Sequence, residues 1–177
     1  MATMDVFPAL HTRRSTRQFT KEPVTSEEVR ILLDAAMTAP SAGNAQPWPF
    51  VIVDDPELLA KIPAINQYAG MAPKAPLSIL ICGDLNAEKY PGFWVQDCSA
   101  AVENLLLAAT GLGLGSVWTG VYPEADRVSG FRSLLGLPGH IVPLALVVLG
   151  RPEHVPKLQN RFDPDKVHYN AWGESES

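Results

Sequence analysis

Cysteine is scarce in this chain: Cys82 and Cys98 are the only two among 177 residues. That excludes a disulfide framework, and both sulfurs fall in apolar stretches that read as buried free thiols. Histidine is equally thin, and His11, His140, His154 and His168 form no pair at metal-ligand spacing. No apolar run approaches the ~18 residues of a membrane span, and the first residues lack the apolar core of a secretory signal. A cytoplasmic location is the expectation. Basic residues do not predominate: 14 Lys+Arg against 19 Asp+Glu give a formal net charge of −5, the wrong sign for a nucleic-acid binder. A Gly-x-Ser-x-Gly elbow and a Walker loop are missing too, which leaves a hydrolase triad or P-loop without support.

What is present is an ordinary globular balance, with 46% hydrophobic and 19% charged residues. The length suits one domain over residues 1–177, with disorder expected only at the end, about 173–177. Thr25 followed by Glu28 predicts a capping box that opens a helix, with Val29, Leu32, Leu33 and Ala36 on its apolar face and Pro40 beyond its end. Phe50 to Val53 reads as a strand, and Asp55-Pro56-Glu57 opens a second helix. Leu77 to Cys82 is almost continuously apolar, as in a strand covered on both faces. A helix from Val95 to about Leu112 is apolar nearly all round, which places it centrally or in a subunit interface. Ser116 to Thr119 is strand-like, Ala125 to Leu135 helical with Gly136 as its stop, and Leu144 to Leu149 a buried strand. Helices packed on a central sheet, α/β or α+β, follow from this alternation.

Three segments could carry chemistry. Arg13-Arg14-Ser15-Thr16-Arg17 gathers three basic residues into five positions of an acidic chain. Guanidinium forks match phosphate oxygens, and Ser15 adds a hydroxyl donor. By itself the cluster reads equally as a solvated loop paired to nearby acids. Ala39-Pro40-Ser41-Ala42-Gly43-Asn44-Ala45-Gln46-Pro47-Trp48 is a loop of small residues that lets the backbone approach a planar ligand, with amides able to pair with a heteroaromatic edge. By itself it also reads as a proline-fixed turn anchored by Trp48. Gly111, Gly113 and Gly115 superficially resemble a dinucleotide-binding loop. They follow a helix and open a strand, the reverse of that fingerprint, and so predict a tight turn.

Taken in order, these pieces resemble the nitroreductase family of flavin enzymes. Arg13-Arg14-Ser15-Thr16-Arg17-Gln18-Phe19 and Pro40-Ser41-Ala42-Gly43-Asn44-Ala45-Gln46-Pro47-Trp48-Pro49-Phe50 carry the resemblance first. Gln96-Asp97-Cys98-Ser99-Ala100-Ala101, Leu112-Gly113-Leu114-Gly115-Ser116 and Val148-Leu149-Gly150-Arg151-Pro152 continue it, so that it spans about residues 7–172. The resemblance implies an α+β fold, a mostly antiparallel sheet flanked by helices, in an intertwined homodimer with FMN at the interface. It further implies an NAD(P)H-dependent ping-pong reductase of nitroaromatics, quinones or similar acceptors. Arg13 and Ser15 would lie on the phosphate and ribityl side of FMN, Arg14 would belong to the same cofactor-binding run, and Arg17 would face N1 and O2 of the ring. Pro40, Ser41, Ala42, Asn44 and Gln46 would line the same flavin from the other subunit. Thr119 and Gly120 would pass beside the ring, one backbone N–H reaching N5, and Arg161 would be a second phosphate ligand.

The same resemblance implies that the apolar helix around Ala100 to Ala109 supplies the dimer core, and that the tail bearing Val167, Tyr169 and Trp172 wraps the partner. The chain is a short member, with little sequence between Ala64 and Trp94 for a lid. Tyr68, Met71, Phe93 and Trp94 are the candidates for lining an open, permissive substrate side, with ordinary packing as their alternative. Other uses of such a site stay open: reductive dehalogenation, saturation or introduction of a conjugated bond, or a flavin-binding sensor or storage protein without NAD(P)H turnover.

Overall fold

In the computed structural model, which describes residues 5–154 and 161–173, the chain begins with helix α1 (Val6–Thr12). Helix α2 (Ser26–Met37) follows, then strand β1 (Phe50–Val53) and helix α3 (Pro56–Ile65). Two single 3₁₀ turns lead to strand β2 (Leu77–Asp84) and the long helix α4 (Trp94–Gly111). Strand β3 (Gly115–Gly120), helix α5 (Ala125–Leu135) and strand β4 (Ile141–Gly150) complete the core. The strands form one sheet in the order β1-β2-β4-β3, with every pairing antiparallel.

Alternation along the central strands builds the core. Ile79 and Ile81 of β2, with Ala145, Val147 and Leu149 of β4, pack against Leu32 and Ala36 of α2 and Ala101, Val102 and Leu105 of α4. Leu80 and Cys82, with Leu146 and Val148, turn the other way, toward Leu59 and Ile62 of α3 and Phe131 of α5. Both faces of the sheet are therefore covered by helices. That is why β2 reads as a continuous apolar run even though its neighbours are antiparallel.

The capping box at Thr25 forms. The Glu28 N–H donates to the Thr25 hydroxyl at 3.2 Å and the Thr25 N–H donates to the Glu28 carboxylate at 2.9 Å. Arg151, just past β4, closes on the same carboxylate at 2.8 Å and tethers the start of α2 to the sheet. Asp55 caps α3 through a 2.7 Å bond from the Glu57 N–H, and Gly136 ends α5 at φ 65°.

Two features differ from the expectation. Helix α1 has no sequence signal, because seven residues with Pro8 near the start are too few to register an apolar period. Strand β4 begins three residues before Leu144, despite Pro143. The register with β2 shifts between Ile81 and Cys82, and the proline, which has no N–H to give, sits at that irregularity. Helix α4 leaves Ala100, Leu107 and Ala108 half-buried, apolar surface still available to the expected dimer core. Ala101, Val102, Leu105, Leu106 and Ala109 are buried inside its own chain, between the sheet and α2. Exposed apolar side chains include those of α1, where Val6 is 60% and Phe7 70% accessible, Trp172 of the C-terminal segment, 90% accessible, and others on the body of the chain such as Met37, Tyr90 and Trp118. The end expected to be disordered lies outside the described residues except for Gly173.

Candidate functional site

The basic run leaves α1 and meets the free edge of β3. Ser15 bridges to Ser116, and the Thr16 N–H donates to the Ser116 carbonyl at 2.9 Å. Gly115 makes this approach possible, since a Cβ there would stand 2.7 Å from the Thr16 Cγ2. The chain then crosses the end of the sheet, where Phe19 pairs with Pro152. Ser15 and Arg17 are exposed. Arg13 holds Glu103 of α4 at 3.3 Å in a half-exposed pair, a contact weak enough to be exchanged for a stronger anion. Arg14 donates from Nη1 to the Arg13 carbonyl at 2.6 Å, while its Nε and Nη2 are buried with no acceptor among the described residues. A guanidinium in that position calls for an anion.

The second segment is a strained loop. Gly43, Asn44 and Gln46 have φ of 58°, 54° and 51°, a left-handed conformation that costs the two amide residues roughly 1 kcal/mol or more each. Pro40, Asn44 and Gln46 are exposed, Ser41 and Ala42 half-buried. The loop is pinned from both sides. The Gln46 N–H donates to the Ser41 hydroxyl at 3.0 Å, and the Ala42 N–H donates to Asp97 Oδ1 at 2.9 Å. Lys89 donates to the Gly43 carbonyl and Tyr90 lies against the same glycine. Asp97, in the first turn of α4, is a residue the sequence reading placed in a matching motif without giving it a role. A buried carboxylate at the start of an otherwise apolar helix was the available signal.

The two segments reach α4 at different points. The basic run touches α4 at Glu103 and the loop touches it at Asp97, six residues apart. That is roughly 9 Å along the axis and a different face of the helix.

Thr119 and Gly120 end β3. The Thr119 hydroxyl donates to the Leu146 carbonyl at 3.0 Å, so its side chain is committed to the sheet. Gly120 faces open space, with nothing within 4 Å of where a Cβ would be. Its carbonyl accepts from Asn66 Nδ2 and from Arg127 Nη1, each at 3.1 Å. Because that carbonyl points off the ladder, the Gly120 N–H shares the free edge of β3, as strand geometry requires. Asn66 and Arg127 were not found from sequence: their partner is a backbone atom 54 and 7 residues away, which no local pattern reports.

Tyr68 is 63% exposed beside this corner, Met71 half-buried and Phe93 exposed. Trp94 is placed differently from the expectation. It is 5% exposed in the core, its ring 5.0 Å from that of Tyr122 and packed where Gly83 leaves no side chain. Arg161 is exposed at the start of the described C-terminal segment. Burial pushes both thiols up to about 12, with the Asp97 charge and Cys82 adding to the effect at Cys98, so neither is a nucleophile near neutral pH. Among the described residues no group of His, Cys, Asp or Glu could hold a metal ion, and no helix is long and apolar enough to cross a membrane.

The comparisons agree with this geometry. The nitroreductase family profile matches residues 10–69 and 64–151. A Methanothermobacter thermautotrophicus protein, provisionally named an NADH dehydrogenase/NAD(P)H nitroreductase, is 48% identical over 97% of this chain and 90% of its own length. The crystal structure of a protein with the same provisional name from Parabacteroides distasonis superposes with a TM-score of 0.91, at 37% identity over 94% of this chain and 98% of that one. A Desulfovibrio desulfuricans nitroreductase, solved in complex with FMN, superposes with a TM-score of 0.77, at 32% identity over 89% of this chain and 92% of that one. An antiparallel sheet covered by helices, a basic run on its free edge and a profile match across most of the chain converge: this is an oxidoreductase of the nitroreductase family.

Proposed function

We propose that the chain binds FMN and uses NAD(P)H to reduce a nitroaromatic, quinone or similar conjugated acceptor by a ping-pong route. The observation that carries this is Arg14, a half-buried cation whose Nε and Nη2 are buried with no acceptor among the described residues, beside an exposed serine and two further arginines at the start of a strand edge. That edge runs from Ser116 to the open corner at Gly120, about 14 Å along the strand. The donor set suits a phosphate at one end and the open corner suits a flat ring at the other. When bound, FMN supplies hydride acceptance and donation at N5, first for NAD(P)H and then for the acceptor.

The chain's residues divide the remaining work. Arg13, Arg14 and Ser15 hold the phosphate and ribityl side, with Arg161 as a second phosphate ligand. Arg17 places positive charge at N1 and O2, where it stabilises the anion left by reduction. Thr119 and Gly120 would pass beside the ring, with the outward Gly120 N–H available to N5. Pro40, Ser41, Ala42, Asn44 and Gln46 would come from a second copy, as the family resemblance implies. A homodimer then completes each site, with α1 and the C-terminal segment as the apolar surfaces that meet. Tyr68, Met71 and Phe93 border the side open to acceptors.

Anaerobic addition of NADH or NADPH to the FMN-loaded protein tests the reading. Bleaching of the oxidised flavin band, and its return when a quinone or nitroaromatic is added, is the expected result. A band that NADH and NADPH both leave unchanged would reduce the protein to a flavin-binding module.

A further inference from the structure

Arg127 lies outside every segment assigned above. It stands in the first turn of α5, its Nη1 donating to the Gly120 carbonyl at 3.1 Å and its guanidinium 5.1 Å from the centre of the Tyr68 ring. Asn66 ties the same atoms together: its Nδ2 donates to the Gly120 carbonyl at 3.1 Å and its Oδ1 accepts the Tyr68 N–H at 3.1 Å. Asn66 is fully buried, so the corner is fixed from beneath. Three elements, the end of α3, the end of β3 and the start of α5, thus hold one cation over one aromatic ring that is 63% exposed.

No carboxylate pairs with Arg127 among the described residues, although Glu124 and Asp126 stand close in sequence and the chain carries a net charge of −5. One edge of the fork is spent on Gly120 and the rest of it has no protein acceptor assigned. Half-buried Arg13 and Arg151 pair with acids, at Glu103 and Glu28, whereas Arg14 and Arg132, like Arg127, have no carboxylate partner among the described residues. A guanidinium fork matches a carboxylate in the plane, and the exposed tyrosine offers a flat face to an aromatic ring.

We propose that Arg127 and Tyr68 form an acceptor subsite for a planar aromatic bearing a carboxylate, with Arg127 the specificity-determining residue. The proposal rests on the reading that puts Gly120 beside the reactive ring, because only then does the subsite hold the acceptor next to the hydride source. In that arrangement Tyr68 contributes to any aromatic acceptor, whereas Arg127 distinguishes charged from neutral ones.

The test compares 4-nitrobenzoate with 4-nitrobenzamide, nearly the same shape with and without the charge, on FMN-loaded protein. In Arg127→Gln the kcat/KM for the benzoate should fall about tenfold, mainly through KM, while the amide changes less than about twofold. Arg127→Lys should recover much of the loss, and Tyr68→Leu should weaken both acceptors. Independently of turnover, calorimetric titration of the oxidised holoprotein with benzoate should show about tenfold weaker binding in Arg127→Gln. An equal loss on both acceptors would mean that Arg127 only braces the Gly120 corner, and an unchanged benzoate affinity would overturn the subsite. If NAD(P)H fails to reduce the unsubstituted protein, the proposed function falls, and the benzoate titration still decides the subsite.

Discussion

At Arg14 one guanidinium nitrogen is spent on a neighbouring carbonyl while Nε and Nη2 stay buried with no acceptor among the described residues. Without an anion such a group destabilises the fold it sits in. Arg14→Met keeps the length and removes the charge, so the flavin-free protein should melt at the same temperature or higher, while FMN binds at least about tenfold more weakly. Thermal melts of the apoprotein and a flavin fluorescence titration measure the two effects. A lower melting point with FMN affinity kept would make Arg14 a structural strut. Arg17 offers the opposite case, exposed and in no ion pair among the described residues. Its charge is available to a reduced ring. Arg17→Ala should lower the flavin midpoint potential by about 30 mV, a tenfold change in the two-electron equilibrium, and slow turnover more than it weakens FMN binding. A dye-equilibration titration that finds the potential unmoved sinks this role.

Among the elements, α2 shows how much can be read locally. Thr25 and Glu28 are three apart, so their reciprocal bonds could be expected from the sequence, and so could the stop after Met37. Arg151 could not: it reaches Glu28 across 123 residues. Burial by itself would raise the Glu28 carboxyl. The bonds from Thr25 and Arg151 outweigh that and hold it below its ordinary value of 4.5. The stabilisation is therefore complete above pH 4.5 and disappears as pH falls through the lowered folded value. Glu28→Gln should cost about 2 kcal/mol at pH 7 by urea unfolding, a difference that narrows below pH 4.5. A constant difference down to pH 3 would refute the ionic part.

The same contrast between local and long-range information explains the site. The basic run and the small-residue loop are contiguous in sequence and were legible. Asp97, Asn66 and Arg127 act on backbone atoms that tertiary folding brings to them, and no spacing rule reports such pairs. Trp94 takes the packing alternative, because an aromatic in a short lid-like stretch reads alike whether it lines a pocket or fills the space over Gly83.

For the whole molecule, two of the places where apolar side chains point outward lie near the chain ends. Val6, Phe7 and Leu10 of α1 and Trp172 of the C-terminal segment are exposed, and α4 adds the half-buried Ala100, Leu107 and Ala108. If two copies bury α1 against each other, Phe7→Asp should convert the dimer to monomer in sedimentation velocity, and FMN should be lost with it because each site needs both copies. A monomeric variant that still binds FMN at full strength would show that one chain completes the site.

Strand β3 lies at the margin of the sheet, and beyond the Ser15 bridge at Ser116 its outer row of N–H and C=O groups is met by no strand among the described residues. Such a row can template the strands of other chains, and proteins guard against it by covering or bending the margin. Here the proposed cover is a cofactor and a partner, not a built-in helix. Protein made faster than flavin is supplied should therefore cluster through this margin. Light scattering of apoprotein at 37 °C should rise with time and stay flat once FMN is added. Equal scattering with and without FMN would exclude the idea. Solubility in this chain would then be a property of its flavin supply as well as of its sequence.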